Sequence, residues 1–155
     1  MLIERRIRRN TRINKLFSKG DRLLVLGEIN KYFVKSILKE LPVKLFFSKK
    51  EDNAFVKKNK INKIVIQWTL DDDINAFVKA LFEGGKVKKM PKNYVKLLVS
   101  ATDKEIALFA RIRKISFKPR GKDILVQKFL DNIEKKHHNI KYNLMKNIIV
   151  LNRLT

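Results

Sequence analysis

The sequence has no cysteine. That single absence excludes disulfides, thiolate zinc sites and cysteine nucleophiles together. Histidine is scarce: the two copies, His137 and His138, are neighbours in a lysine-rich stretch, and adjacent residues on a helix point in different directions, which argues against a metal pair. No apolar run approaches the roughly 20 residues that a membrane-spanning helix needs. The opening MLIERRIRRN is too charged for a signal peptide, so a cytoplasmic protein with no membrane attachment is expected. Acidic residues are also few, 15 Asp+Glu against 37 Lys+Arg, which leaves a net charge of +22. Charge of one sign on this scale opposes compaction and favours polyanionic partners. Growth at high temperature or a biased genome can enrich lysine, but such backgrounds usually add glutamate beside it. The imbalance therefore points to a nucleic-acid partner.

What is present is enough to fold. The chain has 155 residues, 45% of them hydrophobic, sufficient for one domain with a real core. Its organising stretch is Lys63–Gly85, KIVIQWTLDDDINAFVKALFEGG. Ile64-Val65-Ile66 suit a buried strand. Asp71-Asp72-Asp73 follow, then Ile74, Phe77, Val78, Leu81 and Phe82 recur at helical spacing until Gly84-Gly85 stop the helix. Strand, carboxylates, helix and glycine make half of a βαβ unit with acid at the carboxyl edge of the sheet, where open α/β sheets bind ligands. The plainer reading is that the aspartates cap the helix and complement its dipole.

Taken in order, residues 2–17 predict an amphipathic helix, with Ile3/Ile7 and Ile13/Phe17 as apolar pairs. Arg5, Arg6, Arg8, Arg9, Arg12 and Lys15 cover the rest of its surface. Five arginines without an intervening acid repel one another and suit forked contacts with phosphates. Arg22–Leu26 is the first strand, Gly27 ends it, and Ile29, Phe33, Ile37 and Leu38 mark a helix. A strand–glycine–helix junction is where phosphate loops sit, but Gly27-Glu28-Ile29-Asn30 has one glycine, an acid and a β-branched residue. That does not let backbone N–H groups approach an anion. Pro42 breaks the helix and Val43–Phe47 is the second strand, while 48–62 reads as a lysine-rich connection with a hint of helix at Ala54–Val56. Trp68, near the end of the third strand, could stack a base, though a lone tryptophan there more often lines core or pocket. Lys86, Lys88, Lys89 and Lys92 form a basic loop, and Tyr94–Val99 is the fourth strand. Thr102 or Asp103 then caps a helix, with Glu105 at capping-box spacing from Thr102. Arg111, Arg113, Lys114, Lys118, Arg120 and Lys122 are a second basic cluster. A helix over about Asp123–Lys136 and a mixed tail, helix or strand, close the chain.

This alternation predicts a single α/β domain over residues 1–155, a Rossmann-like sandwich with a short, mostly parallel sheet of about four strands. The residues resemble the PP-loop ATP pyrophosphatases, in the branch that thiolates tRNA and whose relatives include tRNA lysidine synthase. The likeness is carried by the Glu4–Phe17 helix with Gly20-Asp21-Arg22, by Leu70-Asp71-Asp72 with Leu81-Phe82-Glu83-Gly84, by Asp103–Ala110, and by Phe129–His137 with Lys141-Tyr142-Asn143-Leu144. The pieces span nearly the whole chain in the family's order. The resemblance implies the adenine nucleotide alpha hydrolase-like version of the fold and a history of tRNA handling. The family's Ser-Gly-Gly-x-Asp-Ser loop falls on Glu28–Phe33, where EINKYF keeps only Lys31 at the variable position, and its Gly-His-Asn is Gln67-Trp68-Thr69. Its catalytic and zinc-binding cysteines are absent, and most of the segment between the second and third strands is missing.

Three functions follow from this reading. The first is a non-catalytic relative that binds tRNA or another structured RNA through Arg5, Arg6, Arg8, Arg9, Arg12, Lys15, Lys88, Lys89, Arg111, Arg113, Lys118 and Arg120. Gly27, Lys31, Asp71 and Asp72 are then the relic of a nucleotide site, with no cofactor expected and ATP with magnesium held weakly at most. The second is an inactive subunit that pairs with an active PP-loop enzyme or with its own copy, using Ile148–Leu151 as a contact strip. The third is a surviving ATP-dependent tRNA-modifying enzyme with an unusual site, in which Asp71 and Asp72 hold magnesium.

Overall fold

A computed structural model describes residues 2–154, with side chains through Leu151. The element order is α1 (Leu2–Ile13), β1 (Arg22–Leu26), α2 (Glu28–Ile37), β2 (Lys44–Ser48), α3 (Asn53–Lys58), β3 (Lys63–Ile66), α4 (Leu70–Phe82), β4 (Tyr94–Lys96), α5 (Asp103–Arg113), α6 (Ile124–Lys136) and α7 (Ile140–Leu154). The four strands form one sheet in the order β2-β1-β3-β4, and every pair is parallel. Leu24 lies opposite Phe46 on one side and Ile64 on the other, so β1 and β3 are the central strands. Parallel strands covered on both faces read as continuous apolar runs, as Leu23-Leu24-Val25 and Ile64-Val65-Ile66 do.

Alternation along these runs divides the core. Leu23, Val25, Val65 and Val95 pack with Ile7 of α1, Phe33 and Val34 of α2, and Ile106, Phe109 and Ala110 of α5. Phe33 and Phe109 stack with ring centroids 5.1 Å apart at the centre of this layer. Leu24, Ile64 and Ile66 face the other way, against Phe46, Val56, Trp68 and Met90. A third cluster lies among helices alone: Leu70, Ile74 and Val78 of α4 meet Val126 and Leu130 of α6 and Ile148 of α7.

Several boundaries differ from the sequence expectation. Helix α1 stops at Ile13 rather than running to residue 17, because Lys15 adopts φ 47° and the Leu16 N–H returns to the Thr11 carbonyl. Ile13, expected on the apolar face, is mostly exposed. The connection at 48–62 contains helix α3, capped by Asp52, whose side chain accepts from the Ala54 N–H. The fourth strand ends at Lys96, and Leu97 and Leu98 go into the core as a turn. The tail is a helix, α7, docked on α4 and α6 through Ile148. No helix of the described residues is long and apolar enough to cross a membrane.

Candidate functional site: the carboxyl edge of the sheet and the arginine face

Strand order reverses between β1 and β3: the chain goes from β1 to β2 on one side and returns to β3 on the other. Such a switch point opens a crevice outside the carboxyl ends of the two strands. Gly27 follows β1 there, and Gln67-Trp68-Thr69 follow β3. Gly27 has φ 85° and ψ 150°, a conformation open to glycine and strained for other residues. A Cβ placed on it would meet Gln67 Oε1 at 3.4 Å. Gln67 is itself fixed, since its Nε2 donates to the Lys118 carbonyl at 2.6 Å. The Gln67 side chain thus lies within van der Waals reach of the space a side chain at position 27 would occupy, beside the end of β1. Lys31 sits on the first turn of α2, 3.6 Å from Glu28 and above the Phe47 ring.

The aspartates lie in the first turn of α4, where they complement its dipole. Thr69 is the N-cap: Asp72 Oδ2 accepts from the Thr69 N–H at 2.8 Å, closing a capping box. The cap of α4 uses one oxygen of Asp72 and neither oxygen of Asp71. Asp72 Oδ1 pairs with Lys122 Nζ at 2.7 Å, and the same ammonium reaches Asp103 Oδ2 at 3.0 Å. Asp71 Oδ1 pairs with Lys141 Nζ at 2.6 Å, while Asp71 Oδ2 accepts from the Asp103 N–H at 2.6 Å. Thr69 Oγ1 donates to Asp103 Oδ1 at 2.7 Å and joins the two halves. Burial alone would lower both lysine pKa values, but the facing carboxylates outweigh it and raise Lys122 and Lys141 above the ordinary lysine value.

Every oxygen of Asp71 and Asp72 therefore already faces a donor, and two ammonium groups stand where a cation would bind. Magnesium does not fit these carboxylates without displacing the lysines. Among the described residues, no group of three or more His, Asp or Glu side chains is arranged to hold a metal ion. Asp73 is tied sideways, accepting from Lys96 Nζ at 2.6 Å and from the Trp68 indole N–H. Lys96 and the Arg120 guanidinium each lie about 5 Å from the Trp68 ring centroid, at 5.0 and 5.1 Å. Cations thus stand over this ring, where a base would have to stack.

The basic residues divide sharply. Arg6 is committed inward: it pairs with Glu105 Oε1 at 2.7 Å and donates to Tyr142 Oη at 3.0 Å. Arg113 packs over Tyr32 and Phe109 and reaches Glu4 at 3.5 Å. Arg8 donates to Ser36 Oγ at 2.7 Å. Lys122, expected in the basic cluster, is the buried partner of Asp72. By contrast Arg5, Arg9, Arg12 and Lys15 are exposed and make no ion pair among the described residues. With Arg8 they border a groove of about 790 Å³ between α1 and α2, floored by Phe17, Ile37, Leu38 and Leu41. Lys88, Lys89, Arg111, Lys118 and Arg120 are exposed elsewhere on the surface. Sequence reasoning missed Lys122 and Lys141 as partners of the aspartates. The signal available was the excess of lysine over acid, which says that some lysines find carboxylates without saying which.

The chain matches no protein-family model, and no curated protein matches it.

Proposed function

We propose that this protein is a non-catalytic, PP-loop-like α/β domain that binds structured RNA, with tRNA the first candidate. One observation carries the reading. Four cations of α1 and its C-terminal turn, Arg5, Arg9, Arg12 and Lys15, stand exposed and unneutralised along a groove, although acids elsewhere neutralise Arg6, Lys122 and Lys141. Mutual repulsion in such a row is relieved when phosphates replace part of its counterion atmosphere. Arginine forks match phosphate geometry without reading base sequence, so the groove suits the backbone of a folded RNA. The lysine-filled aspartates support a binding rather than a catalytic role, because phosphoryl transfer rests on positioning and neutralising phosphates.

The test is affinity for unmodified tRNA measured from low to high salt, with single-stranded RNA and duplex DNA of equal length beside it. Binding that weakens steeply with salt and prefers folded RNA is expected. Absence of binding at low salt refutes the reading. A second reading, an inactive subunit of a larger assembly, has its own support: Ile149, Val150 and Leu151 are exposed on α7. Purification from its natural host with a stoichiometric protein partner would favour it. ATP with magnesium, titrated calorimetrically, gives no heat of binding under either reading.

A further inference from the structure

The groove between α1 and α2 carries more than a row of cations. Arg5, Arg8, Arg9 and Arg12 recur at the i, i+3, i+4, i+7 spacing of one helical face, and Lys15 follows where the chain turns away at φ 47°. Arg8 donates to Ser36 Oγ at 2.7 Å, which ties this face to α2. Among the described residues, no carboxylate lines the groove. Below the cations the surface changes character. Phe17, Ile37 and Leu41 are partly buried and keep exposed edges, and Leu38 closes the bottom at 8% exposure. Thr11, the buried polar residue of the lining, donates its hydroxyl to the Ile7 carbonyl at 2.9 Å.

A fully paired RNA helix meets a protein mainly with phosphate and ribose and keeps its base faces stacked inside. Against this groove it would satisfy the arginines and leave the apolar floor facing anionic backbone. An unpaired nucleotide suits both levels. Its phosphates take the arginine forks, and its base, turned out of the stack, lies on an aromatic ring and aliphatic neighbours. Building on the RNA reading, we propose that the α1–α2 groove grips an unpaired stretch of the folded RNA, a loop or a single-stranded end. Phosphates lie on Arg5, Arg9, Arg12 and Lys15, and a base is seated on Phe17, Ile37 and Leu41. No side-chain amide or carboxylate lines the groove to read a base edge, so the contact accepts any base.

The experiment compares three RNAs on the intact chain: a hairpin with an unpaired loop, the same hairpin with abasic loop residues, and a blunt duplex with as many phosphates. The abasic hairpin keeps every phosphate and loses only the bases. The loop hairpin should bind about tenfold more tightly than either, as stacking of one base predicts. The salt slope should be the same for the two hairpins. A 4-thiouridine in the loop should crosslink within residues 15–18 or 37–41. Phe17→Leu, which keeps an apolar side chain without the ring, should narrow the gap between the two hairpins severalfold and leave duplex affinity unchanged. If that variant does not fold, the abasic comparison decides by itself. Equal affinity for all three RNAs, crosslinks confined to other surfaces, or an unchanged gap in folded Phe17→Leu would each overturn this inference and leave the RNA reading standing. No binding of any of the three at low salt refutes both.

Discussion

Lys122 Nζ sits 2.7 Å from Asp72 Oδ1, and both side chains are at least nine-tenths buried. The lysine comes from the segment before α6 and the aspartate from the first turn of α4, so the pair locks the carboxyl edge of the sheet to the helical cluster. Removing one member of such a pair strands the other as an uncompensated buried charge. Lys122→Met should therefore lower unfolding free energy by about 3 kcal/mol, as breaking buried pairs does. Lys88→Met on the exposed loop should change it by less than about 0.5 kcal/mol. Urea unfolding of the two variants checks the contrast.

Gly27→Ala is expected to destabilise through the backbone. The residue's φ of 85° with ψ of 150° is a region populated essentially by glycine, and an occupied one costs about 1–3 kcal/mol. The added methyl would also touch Gln67 Oε1. Gly121→Ala, with open space around its α-carbon, is the matched control in thermal unfolding and should be near neutral.

Stability should fall at both ends of the pH scale, through the trio Arg6, Glu105 and Tyr142. Burial pushes the Glu105 carboxyl up, but hydrogen bonds from Arg6, Tyr142 and the Thr102 N–H outweigh it, and the net is below the ordinary glutamate value. A depressed carboxylate contributes stability that is present above its unfolded value and lost as pH falls through the folded one. Asp21 and Glu4 are lowered in the same direction, so stability should decline progressively below about pH 4.5, the ordinary glutamate value. Tyr142 moves oppositely: burial and the hydrogen bond to Glu105 push its hydroxyl up to about 12. Its contribution is complete below its unfolded value of 10 and lost as pH rises toward 12. Denaturation midpoints across pH should show the alkaline decline flattened in Tyr142→Phe and the acid decline flattened in Glu105→Gln.

Replacing Arg5, Arg9 and Arg12 by alanine should weaken RNA binding equally across sequences and reduce the salt slope by about one unit for each phosphate that is no longer neutralised. Arg6→Ala makes the useful comparison. Its guanidinium is held by Glu105 and Tyr142, so its loss should appear chiefly as reduced stability, with a smaller change in slope. A titration in which all four substitutions act alike would show that the division between inward and outward arginines does not govern binding.

Much of the fold was legible from short-range pattern. Ile64-Val65-Ile66 and Leu23-Leu24-Val25 read as buried strands because β-branched and apolar runs of that length suit parallel sheets. Thr102 with Glu105 announced the start of α5, and the structure closes that capping box. Two departures share a physical cause. Phe17 continues the apolar spacing of α1, yet the chain turns at Lys15 to bring Leu16 and Phe17 into the core, a tertiary demand that spacing does not record. Leu97 and Leu98 continue the β4 pattern, but they are wholly buried outside the strand, where apolar character is required without extended backbone.

The sequence by itself determined the α/β alternation, the capped helices, the lack of thiol chemistry and the surplus of positive charge, because propensity, capping and composition act locally or sum along the chain. Tertiary structure alone decided what each charge does. Arg5 and Arg6 are adjacent, yet one lines an open groove and the other joins a half-buried ion pair. Asp71 and Asp72 are answered by lysines 70 and 50 residues downstream. A charge's role depends on which opposite charge lies within a few ångströms and how much water lies between them, and both are set only when the helices dock.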